Sequence, residues 1–436
     1  MKFTRIAIAA VFAFAYGNAY AFHSGGVAEC EGCHSMHNSY EGAANVTGMA
    51  QYQSGPYLLK AQDQSGACLN CHEPSTADAA PSSYHISTVG VNAYDSTTPV
   101  EYTPGGDFAW LKKTMSGHIR ATTTIWEGDR HGHNIVAVDF GYAKDGKQIT
   151  APGGTYPAAN LACSSCHDPH GKYRRFADGS QATTGLPIFG SGSYATSISP
   201  IASVSAVGVY RLLAGVGYQP KSLSGSFAFG QKSPDAVAPS TYNRTENVGQ
   251  THVAYGQGMS EWCSNCHGSM LENGYTSGMK GLVHPAGNAA KITAPIIANY
   301  NSYVSVGVMT NADPTKAYST LAPFEMGTAD YTVLKGLAVN TDTKDQSATP
   351  ASNVSCLSCH RAHASAFESM TRYYLGNEFM TIADASNVAS YDSSTTENKI
   401  NTGYSVAQQQ AAYGNRAATV FGPYARNYCN KCHAKD

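Results

Sequence analysis

The sequence predicts a fold of mostly coil and turns with short α-helices and little β-structure, on three observations. The pattern Cys-x-x-Cys-His recurs six times and uses all 12 cysteines. The chain has 43 glycines and 19 prolines that break up any long periodicity, and no later stretch approaches the roughly 18 consecutive apolar residues of a membrane span. Neither a long helix nor a conventional sheet suits this texture.

The six copies are Cys30-Cys33-His34, Cys68-Cys71-His72, Cys163-Cys166-His167, Cys263-Cys266-His267, Cys356-Cys359-His360 and Cys429-Cys432-His433. This spacing attaches c-type haem: two thiols form thioethers to the porphyrin, and the adjoining imidazole ligates the iron. A structural zinc site needs a second ligand pair, and a thioredoxin-like motif has no need of the His. Disulfides do not require each pair to stand three apart and precede a His. Six copies with no cysteine left over therefore predict six covalent haems and their iron. The fold class is that of a multihaem cytochrome c in which a row of haems serves as core.

Taken in chain order, Lys2 and Arg5 precede an apolar run from Ile6 to Tyr16, and Ala19-Tyr20-Ala21 offers small residues for cleavage. Residues 1–21 are expected to be a signal peptide and 22–436 a single hexahaem domain, exported to where haem is joined to such motifs. Roughly 70 residues then accompany each haem, which leaves little room for a separate core beside each macrocycle. Ser87–Gly106, Ser180–Pro200 and Ser224–Tyr242 read as turns and extended segments. Helices are expected around the motifs and over Val253–Asn265, Tyr331–Val339, Met370–Glu378 and Ser405–Tyr413. The basic run Lys172-Tyr173-Arg174-Arg175 suits either haem propionates or solvent. With 28 basic and 30 acidic residues, nothing resembles a nucleic-acid-binding surface.

Histidine supply bears on coordination. Of 16 histidines, six lie in the motifs, which leaves ten for the opposite axial positions. Methionine, the alternative sixth ligand, recurs at no fixed offset from the motifs, so bis-His ligation is expected. Motifs one, three and five continue to a further His, namely His37, His170 and His363, whereas motifs two, four and six do not. A His three residues beyond the proximal one cannot reach the far side of its own iron. It can reach a neighbouring one if the haems lie in a tight row built as three pairs. His85, His133 and His284, in apolar or turn settings, complete the expected distal set; His23 is a substitute and His252 ambiguous. His118 and His131 fall in a polar stretch where solvent exposure is the simpler reading.

The blocks from Phe22 to His34, Cys163 to Arg175, Val253 to Cys263, Cys356 to Ser365 and Cys429 to Asp436 resemble the hexahaem outer-surface c-type cytochromes of metal-reducing bacteria. The likeness runs over nearly the whole mature chain and weakens in Thr114–Arg130 and Asn301–Lys316. It implies a filament with a continuous haem row, in which the residue matching His37 binds the fifth haem of the adjacent subunit. The alternation of motifs is compatible. If His363 serves the third haem and His170 the first, His37 has no haem behind it and the fifth haem has no donor, and head-to-tail stacking cures both. Such a contact propagates as an open fibre.

The expected function is extracellular electron transfer by hopping along six closely spaced haems, as a homopolymer at the outer cell surface. Its partners are other redox proteins and external acceptors such as metal oxides, with no nucleic acid and no transmembrane segment. A monomeric periplasmic shuttle is the alternative. A multihaem reductase is the weaker competitor, since catalysis needs an open iron position and this chain has a surplus of histidines.

Overall fold

The computed structural model describes residues 30–35, 56–73, 84–119, 122–183, 194–239, 245–246, 252–271, 285–302, 317–339, 346–392 and 403–433. The expected signal peptide and His23, His37 and His284 lie outside them.

Short helices mark the motifs. One four-residue turn forms at each odd motif: α1 at Cys30–Cys33, α3 at Cys163–Cys166 and α7 at Cys356–Cys359. The second motif lies in α2, Gln64–His72, and the fourth begins in α4, Met259–Cys263. The sixth lies on a 3₁₀ turn over Tyr428–Lys431. The Asp63 carboxylate caps α2 by accepting from the Gly66 N–H at 2.7 Å.

Away from the motifs, α5 spans Ala294–Ser302, α6 Tyr331–Leu337 and α8 Val406–Ala412. Helix α6 begins where Asp330 accepts from the Thr332 and Val333 N–H groups, and α8 where Ser405 and Gln408 exchange bonds in a capping box. These two match expectation. Pro295 in the first turn of α5 is tolerated because its absent N–H has no helical partner there.

Two expected helices are corrected. Over 253–265, Ala254–Gln257 is strand and only Met259–Cys263 is helix. A Cβ at Gly256 would stand 2.3 Å from the Thr328 carbonyl, so the glycine admits a close backbone crossing, and Gly258 at φ 87° turns the chain into α4. Over 370–378 there is no helix beyond the end of a 3₁₀ turn at Glu368–Met370, because Ser369 and Met370 are left-handed and Thr371 bridges to His360.

Sheet is sparse, as expected. Strands β1 (Met115–Ile119) and β2 (Thr122–Trp126) pair antiparallel with Met115 opposite Trp126. Strand β3 (Arg174–Arg175) lies between β4 (Gln181–Ala182) and β5 (Val207–Gly208). Strand β6 (Asp235–Val237) pairs with β7 (Ala254–Gln257) through a bulge, and β8 (Ile382–Ala383) with β9 (Ala389–Ser390).

The polypeptide also builds aromatic cores of its own. Trp110, Tyr300, Phe324, Phe367, Tyr413 and Phe421 belong to the largest, which reaches Cys359 and Cys432. Edge-to-face and offset ring pairs dominate it, such as Trp110 against Tyr404 at 5.5 Å and Tyr391 stacked on Tyr413 at 5.6 Å. Leu69, Phe108, Ile135 and Tyr142 form a smaller one beside the second motif. Arg175 is not part of a solvated cluster: it is fully buried, ion-paired with Asp235 at 3.3 Å and set over the Tyr331 ring. Among the described residues no helix is long and apolar enough to cross a membrane.

Candidate haem-binding sites

Each odd motif is clamped by a second segment in the same way. Two successive non-glycine residues in the left-handed region turn this segment back: Tyr57-Leu58, Arg211-Leu212 and Ser369-Met370. The next residue, Leu59, Leu213 or Thr371, makes an antiparallel bridge to His34, His167 or His360. The carbonyl of the first left-handed residue then accepts from the histidine Nδ1, at 3.0 Å from Tyr57, 2.7 Å from Arg211 and 2.7 Å from Ser369.

Since a carbonyl can only accept, these bonds place the ring proton on Nδ1 and leave the Nε2 lone pair free for a metal. Motifs two and four fix the same tautomer differently. His72 Nδ1 donates to the Tyr84 carbonyl at 2.7 Å and His267 Nδ1 to Pro152 at 2.8 Å. Left-handed backbone costs an ordinary residue roughly 1–2 kcal/mol. The strain is thus repeated at three places that orient an imidazole.

Histidine rings meet in pairs. His34 faces His170 with centres 6.3 Å apart and planes 9° from parallel. His167 faces His363 at 6.3 Å, and His267 faces His133 at 6.0 Å. Two imidazoles that bind one metal ion through bonds of about 2 Å have ring centres about 6 Å apart. These pairs therefore fit an iron between them. Burial lowers the pKa of His167 and brings that of His133 down to about 4, which keeps both neutral as ligation requires.

The pairs are braced by backbone. His133 N–H donates to the His363 carbonyl at 2.9 Å while its Nδ1 donates to Ala362 at 2.7 Å. Gly105 and Gly132 let this junction close, since a Cβ at either would fall 2.7 Å or less from His363. Phe108 stacks on the His363 ring at 4.6 Å.

Of the other histidines, His85 is buried with Nδ1 facing the buried Glu101 carboxylate at 3.7 Å. His131 corrects the expectation of exposure: it is 1 % exposed, its Nδ1 donates to the Trp110 carbonyl, and its Nε2 is buried without a partner among the described residues. It misled because Arg130 and Asp129 beside it are polar while its own side chain turns toward Trp110. His252 is fully buried and stacked on Tyr318 at 3.9 Å. His118 lies on β1 across from Thr123. His360 and His433 are described, and among the described residues no second histidine ring pairs with His360.

None of the cysteines forms a disulfide. Their neighbours order the motifs in space. Cys33 lies within electrostatic reach of Cys71, Cys68 of Cys163, Cys166 of Cys266, Cys263 of Cys356, and Cys432 of Cys359. Motifs one to six thus follow one another, neighbouring alternately through second and first cysteines. Two of these junctions share a device: the Cys163 N–H donates to Ser65 at 3.2 Å and the Cys356 N–H to Ser260 at 3.0 Å, each serine standing three residues before an even motif. Burial raises the pKa of the Cys266 and Cys432 thiols to about 12.

The clamp carbonyls of Tyr57, Arg211 and Ser369 escaped sequence reasoning, since no residue type announces them. The neighbouring serines had a visible spacing, Ser-x-x-Cys at motifs two and four.

No family model matches the chain. It is 56% identical over 436 residues, all of this chain and 99% of the other, to C-type cytochrome OmcS of Geobacter sulfurreducens. Two solved structures from that organism are similar at 57% identity, covering 95% of this chain and 100% of theirs. They are a cryo-EM structure of the OmcS nanowires, with a TM-score of 0.85, and an outer membrane cytochrome S filament, at 0.86. With that identity running from end to end, and with cysteine pairs and imidazoles disposed to fit haem, this chain belongs to the OmcS family of c-type cytochromes, whose haem is covalently attached.

Proposed function

We propose that the chain carries six c-type haems, one at each motif, and transfers electrons along them as the repeating subunit of an outer-surface filament that serves extracellular acceptors such as metal oxides. The observation that carries this reading is the set of imidazole pairs at metal-binding spacing, on motifs that are joined two to three and four to five by serine–cysteine hydrogen bonds. The filament form rests on the relatives, which were solved as nanowires and as an outer membrane cytochrome filament.

In this reading the twelve motif cysteines attach the haems, and His34, His72, His167, His267, His360 and His433 are the proximal ligands. His170 completes the first site, His363 the third and His133 the fourth. His85 and His284 remain for the second and sixth. His37 of a neighbouring copy completes the fifth, for which the described residues supply no ring.

Bound haem iron supplies reversible one-electron chemistry. The chain's own residues fix the histidine tautomers through backbone carbonyls. By holding an imidazole on both sides they leave no open position for a substrate, which favours electron transfer over reduction catalysis. A coordinate bond across the joint between copies also strengthens an otherwise ordinary contact.

Intact-mass measurement of the exported protein together with electron microscopy tests the reading. Six haems per chain and fibres are expected. Fewer haems, or monodisperse single copies, would contradict it.

A further inference from the structure

The three odd motifs share one scaffold, so equivalent positions can be compared. The residue after the motif histidine is Ser35, Asp168 or Arg361, and its N–H donates to the carbonyl of the second left-handed residue at 2.7–2.8 Å in all three. The clamp returns a bond to the second cysteine's carbonyl from Lys60, Ala214 or Arg372. These two positions carry a net single positive charge in motif one, a single negative charge in motif three and two positive charges in motif five.

The charges are built into the interior in two of the three. Asp168 is 5 % exposed, accepts from the His170 and Lys172 N–H groups at 3.1 and 2.9 Å, and among the described residues pairs with no cation. Arg372, fully buried, wraps the fifth motif, its Nε donating to the Leu357 carbonyl at 2.6 Å and to the His360 carbonyl at 3.1 Å. Arg361 and Arg372 share one carboxylate oxygen of the buried Glu246, at 2.7 and 3.0 Å. The fifth motif therefore keeps a buried positive excess beside its ligand, whereas Lys60 in motif one is only half-buried and screened by solvent.

A buried charge acts through a medium of low effective dielectric. A positive one disfavours ferric iron and raises the reduction potential; a negative one lowers it. We propose that the charges at these two scaffold positions tune the odd haems, Arg361 and Arg372 raising the potential of the motif-five haem and Asp168 lowering that of the motif-three haem against the Arg211 cation of its clamp. This rests on there being a haem at each motif.

The test is a potentiometric titration of the full-length holoprotein, each step adding one electron from dithionite to one ferric iron, followed by haem absorbance with the haem count measured in parallel. In Arg361→Gln one component falls by about tenfold in its reduction equilibrium, 59 mV for one electron. Glu246→Gln raises that same component, and Arg361→Lys leaves it in place. Asp168→Asn raises a different component. Unmoved components or shifts of the opposite sign with six haems present would overturn the proposal. A haem count below six in the unmodified protein would instead defeat the reading on which it rests. Should Arg361→Gln lose a haem, Glu246→Gln and Asp168→Asn decide the matter alone.

Discussion

Odd and even motifs solve one problem with different local structure. At odd motifs a four-residue turn is too short to orient its own histidine, and a strained left-handed pair on a distant segment supplies the carbonyl. At even motifs two and four the helix enters from upstream, and the orienting carbonyls of Tyr84 and Pro152 come from loops in other conformations. The difference teaches that odd motifs carry the long-range organisation. They hold the trailing histidines, and each of motifs three and five docks on the serine that precedes an even motif. Even motifs are the platforms on which they dock.

The largest effect expected from breaking this arrangement is spectroscopic. His170→Ala should leave one haem per chain high-spin in electron paramagnetic resonance, because among the described residues it is the ring that faces His34. His131→Ala, at a buried ring outside the assigned pairs, should leave every haem low-spin.

The joint between even and odd elements should respond to pH. Glu325 accepts from the Met259 N–H at the start of α4 and from Asn353 near α7, each at 2.7 Å, and burial raises its pKa from 4.5 to about 7. Between these values the folded chain holds a proton that the unfolded chain has released. Stability is therefore fully present below pH 4.5 and lost as pH rises toward 7, by about 3 kcal/mol at most. Denaturant unfolding across that window should show the slope, and Glu325→Gln should flatten it.

Ser65→Ala and Ser260→Ala should each cost about 0.5–1.5 kcal/mol in the same assay, since a part-buried cysteine N–H loses its acceptor. The equivalent place before motif six is Arg426, which pairs with the largely exposed Glu378. Arg426→Ala should cost less than about 1 kcal/mol. The smallest change concerns the clamp. Leu58 is 51 % exposed and left-handed, so Leu58→Gly should stabilise by about 0.5–1 kcal/mol in thermal unfolding, and Leu58→Ile should destabilise.

Much of the site was legible because its chemistry is local. Attachment requires two thiols and an imidazole within five residues, and the trailing histidines betray alternation by spacing alone. Helix α8 was legible from Ser405 and Gln408, whose side chains cap it locally. The clamps were not, for Tyr57, Arg211 and Ser369 act through carbonyls that every residue possesses. The strand at Ala254–Gln257 hid in a helical pattern because its crossing depends on Gly256 meeting Thr328, a contact between segments far apart in sequence. His131 shows the same limit, since its burial comes from Trp110 and not from its neighbours.

In the proposed filament His37 leaves its own copy to complete the fifth site of the next. Electron paramagnetic resonance of His37→Ala, read beside electron micrographs of the same preparation, tests this. One high-spin haem per chain and no fibres are expected; six low-spin haems in normal fibres would contradict the proposed joint.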